Sequence, residues 1–381
     1  MPAFQFCVDS QRLMASDTKT DKPTVAPGRN VTIKDLAAEL DLSITTISRA
    51  LNGYSDVGER TRQKVEGAAK RLGYQPNRNA QRLVLQRTHN IAWVQSDNEL
   101  KYLDPHFAEV MAGVLAQARE VKYDIVLTSH GQDREIATYD RYVRDNSVDG
   151  FIVDLPREDD QRIGFLLESG RPFVVHGREP RCDRYGWVDM DNYGNFYRLA
   201  RLLIANGHRR IAFINGDETF NYALYRHRAV RHAVADAGLP ADTVTVYNSA
   251  HPMGDAGFRL TREALGDPAV TAIIYSSVLL LVEGYEAWAA AAPRNGQPIA
   301  LATMDDALRH IDRTRYLPRV TFVRSSLKEA GLALIDELSR QCDRHAAPQG
   351  TLVPSYFDVA PGLDPSSIDV PLPPHRRDHI G

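Results

Sequence analysis

The spacing of apolar positions changes twice along the chain. Residues 1–30 keep no sustained helical or strand period and their second half is polar, so they read as a disordered N-terminal tail. From Val31 the spacing turns helical: Ile33, Leu36, Ala37 and Leu40 recur at i, i+3, i+4 and i+7 and share one face. Thr32 stands at an N-cap position, and Asp35 three residues on favours the positive helix end. Asp41-Leu42-Ser43 interrupts the run, and Ser43 is placed to cap a second helix over 44–51 with Ile47 and Leu51 inward. Asn52-Gly53 stops that helix. A third, over 59–72, carries Val65, Ala68, Ala69 and Leu72 on its apolar face and ends at Gly73. Gln75-Pro76-Asn77 is a break, followed by Arg78–Gln86, a short stretch of helix-forming composition with little to bury.

From Ile91 short apolar runs take over: IAWVQ (91–95), YDIVLT (123–128), GFIVD (150–154), PFVVH (172–176), RIAFIN (210–215), TAIIYS (271–276) and PIALAT (298–303). Amphipathic stretches such as 107–121, 193–206, 225–237 and 279–291 lie between them. Buried strands separated by helices predict parallel sheets with βαβ crossovers. About 260 residues of this exceed one compact sheet, which implies two lobes. The Pro-rich segment from Pro361 to the end reads as an irregular C-terminal tail.

Composition changes this picture little. Of 381 residues 43% are hydrophobic and 25% charged, which suits a chain with a sizeable core and argues against wholly disordered or fibrous classes. Charge changes it more. Eleven basic and six acidic side chains between residues 29 and 90 give +5 there, so a total of −3 leaves −8 for the rest. A basic N-terminal module on an acidic body fits one part that meets phosphates and one that does not. Cys7, Cys182 and Cys342 are far apart, which excludes a disulfide scaffold and zinc spacing, and no metal or cofactor is expected. The residues before Arg12 form no basic signal region, and no apolar run approaches the roughly 20 residues of a membrane span, so no membrane partner and a cytoplasmic location are expected. Met14 is a possible alternative start.

The stretch VTIKDLAAELDLSITTISRALNGY sets two helices at a three-residue turn, with short polar side chains opening the second. A helix that enters the major groove needs such a start, because its first residues must reach base edges. With Ile47 inward, Ile44, Thr45, Ser48 and Arg49 face outward; Arg49 can donate twice to a guanine, and Ile44 and Thr45 can pack on a thymine methyl. The competing reading is a helical hairpin with a solvated polar face. Together with the later TRxxV and GYxPNxxAxxL, the stretch from Val31 to Leu85 resembles the DNA-binding head of the LacI/GalR (lactose-repressor) family of bacterial transcription regulators. The body matches that family's sugar-binding core in layout.

The resemblance implies a fold, with an all-α helix-turn-helix head and hinge helix joined to an α/β, two-lobed, periplasmic-binding-protein-like core with parallel sheets. The implied organisation is a tail at 1–30, a DNA-binding head at 31–76, a hinge helix at 77–87, an effector-binding and dimerisation core at 88–360 and a tail at 361–381. It also implies roles. Ile44 and Thr45 sit where the family reads variable bases, Arg49 where a guanine contact is usual, and Ser43, Thr46, Ser48 and Asn52 at backbone-contacting or turn-fixing positions. Asn77 would start the hinge helix with Arg78 following. Ala80 would meet its twin from a second subunit, and Leu83 would wedge into a minor-groove step. Read without the resemblance, Leu83 is a linker leucine packing on the body.

In the core, the family's pocket positions correspond to Ser96, Phe107, His176, Arg178, Arg226, Ser277 and Asp305, with Asp306 beside the last; Asp191, Trp187 and Tyr222 are further candidates for the cleft lining, against plain packing or solvent exposure. Core packing for Phe107 and a surface ion pair for Arg226 are the competing readings, and His130 and His208 read as structural. This chain departs from the family at Gly177, Ala229, Ser277-Val278 and Thr303, so the effector cannot be copied from a relative. No GxSxG elbow, phosphate-cradling loop or HExxH is present, which leaves an enzyme reading resting on His176 with Asp305. A sugar receptor without DNA binding is the other alternative. The expectation is a homodimeric regulator, a repressor of carbohydrate-uptake or catabolic genes. It binds double-stranded operator DNA of two-fold symmetry and answers to a small sugar effector.

Overall fold

Thr32 opens the first helix as its sequence position implies. In the computed structural model its Oγ1 accepts the Asp35 N–H at 3.4 Å, and the Asp35 carboxylate accepts the Thr32 N–H at 2.7 Å. Helix α1 (Ile33–Leu40) ends at Asp41, α2 (Ile44–Leu51) begins with Ser43 Oγ accepting the Thr46 N–H at 3.0 Å, and α3 (Glu59–Leu72) ends at Gly73. The φ of +66° at Gly73 lets its N–H reach Ala69 O and Lys70 O, a left-handed turn that costs glycine little. The three helices enclose Leu36, Leu40, Ile47, Ala50, Val57, Val65, Ala68 and Ala69. This core belongs to a unit ending at Gln86; Arg87 to Gly381 form the second unit. The structure describes residues 31–51, 53–75, 87–96, 103–131, 134–179, 182–251, 253–293, 296, 298–369 and 372. The tail at 1–30 with Met14, and the candidates Asn52, Asn77, Arg78, Ala80 and Leu83, lie outside them.

In the second unit the strands are β1 (Asn90–Ser96), β2 (Asp124–His130), β3 (Gly150–Asp154), β4 (Phe173–His176), β5 (Gly186–Asp189) and β6 (Ile211–Asn215). They continue with β7 (Val244–Asn248), β8 (Ala272–Tyr275), β9 (Ala300–Asp305), β10 (Val320–Arg324), β11 (Gly350–Leu352) and β12 (Tyr356–Asp358). Two six-stranded sheets form, ordered β11-β5-β4-β3-β1-β2 and β12-β10-β9-β8-β6-β7. Every pairing is parallel except β10 with β12. Each predicted apolar run is a strand. Helices α4 (Pro105–Val121), α5 (Glu135–Arg144), α6 (Gln161–Ser169), α7 (Asn192–Ala205), α8 (Asn221–Asp236), α9 (Ala256–Leu265), α10 (Val278–Ala289) and α11 (Leu327–Arg344) cover the sheets.

The chain passes between the lobes three times, after β5, after β10 and after β11. Side chains tie these crossings together. Buried Asn195 donates to Met190 O at 2.7 Å and accepts from Ser355 Oγ at 2.8 Å, while Ser325 Oγ donates to Pro354 O at 3.1 Å. Helix α11 returns to the first lobe and lies on α4 at backbone contact: a Cβ on Gly113 would come 2.1 Å from Lys328 O. The segment from 361, expected as an irregular tail, is docked over its described part. Asp364 N donates to Asn206 Oδ1 at 2.7 Å, and Leu363 packs on the core.

Candidate functional site

On the head, α2 has one apolar side, and burying Ile47 and Ala50 turns Ser43, Ile44, Thr45 and Arg49 to solvent. Ile44 remains 44% exposed, an unburied branched apolar group at the helix start. Ser43 and Thr46 spend their hydroxyls locally: the two lie 2.8 Å apart and Ser43 caps the helix, which fixes the turn. Ser48 is half-buried. Arg49 is held by Asp56, with Nη2 to Oδ2 at 2.5 Å and Nε to Oδ1 at 3.2 Å, and its guanidinium lies 5.0 Å from the centre of the Tyr54 ring.

In the second unit the carboxyl ends of both sheets open on a cavity of about 400 Å³. Ser96, Asp154, His176 and Asp189 end β1, β3, β4 and β5, and Ser276 and Asp306 follow β8 and β9; all six line it. This is where open parallel sheets commonly hold ligands. Of the predicted residues, Ser96, Phe107, His176, Arg178, Arg226 and Ser277 line the cavity. Phe107 also packs on Trp93, ring centres 5.2 Å apart. Ser277 caps α10, its Oγ accepting the Leu280 N–H at 3.4 Å.

Arg226 is 5% exposed and has no carboxylate within ion-pair distance among the described residues. Its Nε donates to Asn192 Oδ1 at 2.8 Å and Nη1 to Ser276 O at 2.5 Å, between the rings of Phe196 and Tyr222 at 4.8 and 5.1 Å. Burial holds its pKa below the usual guanidinium value. Arg178 is different: it pairs with Asp189 at 2.9 Å and Asp191 at 3.4 Å and lies over Trp187.

His106, which sequence reasoning did not single out, bridges the lobes. Its Nδ1 is 2.8 Å from Asp104 and its Nε2 3.1 Å from Asp306 Oδ2. Burial alone would lower its pKa, but the two carboxylates outweigh that and push it up to about 10. The ring is therefore a cation at neutral pH. Asp306 is 2% exposed, and among the described residues its Oδ1 finds no hydrogen-bond partner; the same holds for Trp93 Nε1 and Asn221 Oδ1 in the lining.

Two predicted residues stand elsewhere. Asp191 caps α7, accepting the Gly194 N–H at 3.0 Å, and pairs with Arg178 and Arg198, so its carboxylate is spent outside the cavity lining. Asp305 accepts the Ala307 N–H at 3.0 Å and faces Arg313 and Arg324, each at 3.9 Å. Side chains alternate along an extended segment. Met304, whose Sδ accepts from Arg226 Nη2 at 3.5 Å, therefore shares its face with Asp306, and Asp305 points away. That period was the available signal for Asp306. His106 offered a weaker one, the Asp-Pro-His start of α4. His208 sits 3.0 Å from Thr271 Oγ1 and His130 3.4 Å from Glu135, both outside the cavity lining.

No group of metal-ligating side chains occurs among the described residues, and no helix among them is long and apolar enough to cross a membrane. Three family models match: "Bacterial regulatory proteins, lacI family" over residues 32–77, "Periplasmic binding proteins and sugar binding domain of LacI family" over 88–278, and "Periplasmic binding protein-like domain" over 200–359. The HTH-type transcriptional regulator AglR of Rhizobium meliloti is 38% identical over 310 residues, 81% of this chain and 87% of that protein. A solved complex of the transcriptional regulator CelR with cellobiose superposes with a TM-score of 0.61 at 27% identity, covering 87% of this chain and 99% of that one. The lac repressor dimer bound to operator and an anti-inducer gives 0.71 at 21% identity over 86% and 98%, a likeness of fold.

Proposed function

Because the chain belongs to the lacI family of bacterial regulatory proteins, we propose that it is a dimeric, sugar-responsive repressor working on operator DNA in the cytoplasm. The head reads bases through Ile44, Thr45 and Arg49, with Ser43, Thr46 and Ser48 fixing the turn or touching phosphates. Phosphate contacts set register and base contacts carry sequence information. Asn52, Asn77, Arg78, Ala80 and Leu83 take the turn and hinge roles that the resemblance gives them. An isolated helix shorter than about 12 residues is marginal in water, so a hinge at 77–87 forms when docked on DNA.

The observation that carries the effector half is the cleft chemistry around Arg226. Among the described residues, a buried guanidinium without a carboxylate partner and unspent polar atoms on Trp93, Asn221 and Asp306 line one cavity. Buried polar groups left unpaired cost free energy, and a polyhydroxylated ligand with an apolar ring face satisfies them beside Phe107 and Tyr222. Ligand joining the lobes across this cleft alters the dimer geometry that the hinge helices need. A coupling of about 1–3 kcal/mol suffices and is reciprocal, so DNA changes sugar affinity by the same factor. AglR is a transcriptional regulator and CelR is seen with cellobiose; for this chain we extend that to mono- and disaccharides as the effector class.

The test is a thermal-shift screen of the full chain against mono- and disaccharides, paired with binding to duplexes selected from a randomised library. At least one sugar is expected to raise Tm and to change DNA affinity about 5- to 150-fold. A sugar panel that leaves both readouts unmoved rejects the proposal.

A further inference from the structure

Arg49 does not wave free on the head. Of the five N–H donors of its guanidinium, Asp56 takes one on Nε and one on Nη2. Tyr54 supplies a flat surface 5.0 Å away, within the range of a cation–π contact. The turn that presents both residues is held independently of the Asp56 carboxylate. Arg62 Nη2 donates to Tyr54 O at 2.9 Å, Tyr54 N donates to Arg49 O at 3.1 Å, and neighbouring Val57 is buried in the helical core. Asp56 itself is about half exposed, with a side-chain exposure of 53%. Its carboxylate thus contributes little to folding, and among the described residues it bonds to Arg49.

We propose that Asp56 is a positioning residue for base recognition: with Tyr54 it locks the guanidinium so that the Nη1–Nη2 edge points outward as a preset fork for guanine. The inference rests on the base-reading role given to Arg49 above. The geometry divides the donors cleanly. Asp56 occupies the Nε–Nη2 edge, and among the described residues the Nη1–Nη2 edge keeps two parallel N–H groups, the pair that guanine O6 and N7 accept. Long side chains lose rotamer freedom when they bind; here much of it is already lost in the free protein. The carboxylate also repels phosphates, which lowers affinity for every sequence alike. Only a correctly placed guanine recovers that loss. Asp56 therefore favours discrimination over raw affinity.

The test compares the full chain with Arg49→Ala, Asp56→Ala and Asp56→Asn, each used to select duplexes from the same randomised library, with non-specific affinity measured on poly(dA)·poly(dT). Arg49→Ala is expected to erase a guanine preference at one position of each half-site. Asp56→Ala is expected to weaken the preference at that same position about tenfold, leave the other positions unchanged and raise non-specific affinity about twofold. Asp56→Asn, which keeps an acceptor, falls between. If Arg49→Ala leaves every guanine preference intact, the base-reading role fails and this inference with it. If Arg49→Ala erases the preference but Asp56→Ala leaves it unchanged, blurs all positions equally, or sharpens it, the positioning role alone is overturned; a sharpened preference would mean that the carboxylate competes with guanine. Circular dichroism of the Asp56 variants separates a lost fold from a lost contact.

Discussion

Arg226 shows how much a single side chain in the cleft depends on shape as well as charge. Its fork is fixed by Asn192 and Ser276 and sandwiched by two rings. A lysine keeps the charge and loses the planar fork. Arg226→Lys is expected to weaken sugar binding at least tenfold, seen as loss of the sugar-induced rise in Tm, with DNA affinity in the absence of sugar retained. His106 makes a prediction with a definite sign. Its folded pKa of about 10 exceeds its ordinary value of 6.5, so the folded state holds the proton more tightly. The stabilisation is complete below pH 6.5 and is lost as pH rises toward 10. The fall in Tm between pH 7 and pH 10 should therefore be steeper in the wild type than in His106→Gln; parallel profiles would remove His106 from the ion-pair bridge. At this scale legibility was uneven. The outward set on α2, apart from the half-buried Ser48, followed from one inward residue, Ile47, whereas choosing Asp306 over Asp305 needed the strand's alternation carried past its last residue. His106 left only the weak signal of its Asp-Pro-His helix start, because its partner Asp306 is 200 positions away in sequence.

Helices and strands were legible where they made their own hydrophobic signal. The head helices announce themselves by caps and period, and the central strands by runs of branched apolar residues. The strands that escaped are the ones stabilised by neighbours. β11 and β12 have three residues each, β5 begins on Gly186, and β7 is an edge strand with only its first residue buried. β10 is more instructive: Val320–Arg324 is buried nearly throughout, yet its Thr and Arg dilute the apolar run, and the burial comes from β9 beside it. The α4–α11 contact was likewise invisible, since nothing in the local sequence sets Gly113 or Gly331 apart. Gly113→Ala would force a Cβ against backbone and is expected to destabilise the core by about 1–3 kcal/mol. Gly164→Ala, on the exposed side of α6 with nothing nearby, is expected to be neutral or stabilising by up to about 1 kcal/mol. Urea unfolding of the two variants checks both, and equal effects would contradict the close helix crossing.

For the whole molecule the small net charge of −3 is a sum of unlike parts, +5 over residues 29–90 and −8 elsewhere. A dimer anchored through two such heads should lose about 10³-fold or more in DNA affinity between 50 and 200 mM salt. A salt-independent affinity would contradict phosphate anchoring. The two-lobed plan was legible from the length and alternation of the body, but the three crossings were not, because each is a few residues of loop without a pattern of its own. They have a consequence for how the protein is made. The first lobe consists of residues 88–189 and, beyond the second crossing, of α11 and β11, so no continuous stretch of chain encodes it. On the ribosome its sheet is synthesised early and lacks both an edge strand and the helix that covers α4. Residues 192–324, most of the other lobe, emerge before those pieces exist. The usual order, in which the N-terminal domain completes first, is thus reversed here: the second lobe nears completion while the first still exposes the α4 face, and a nascent chain halted before residue 352 contains neither lobe whole.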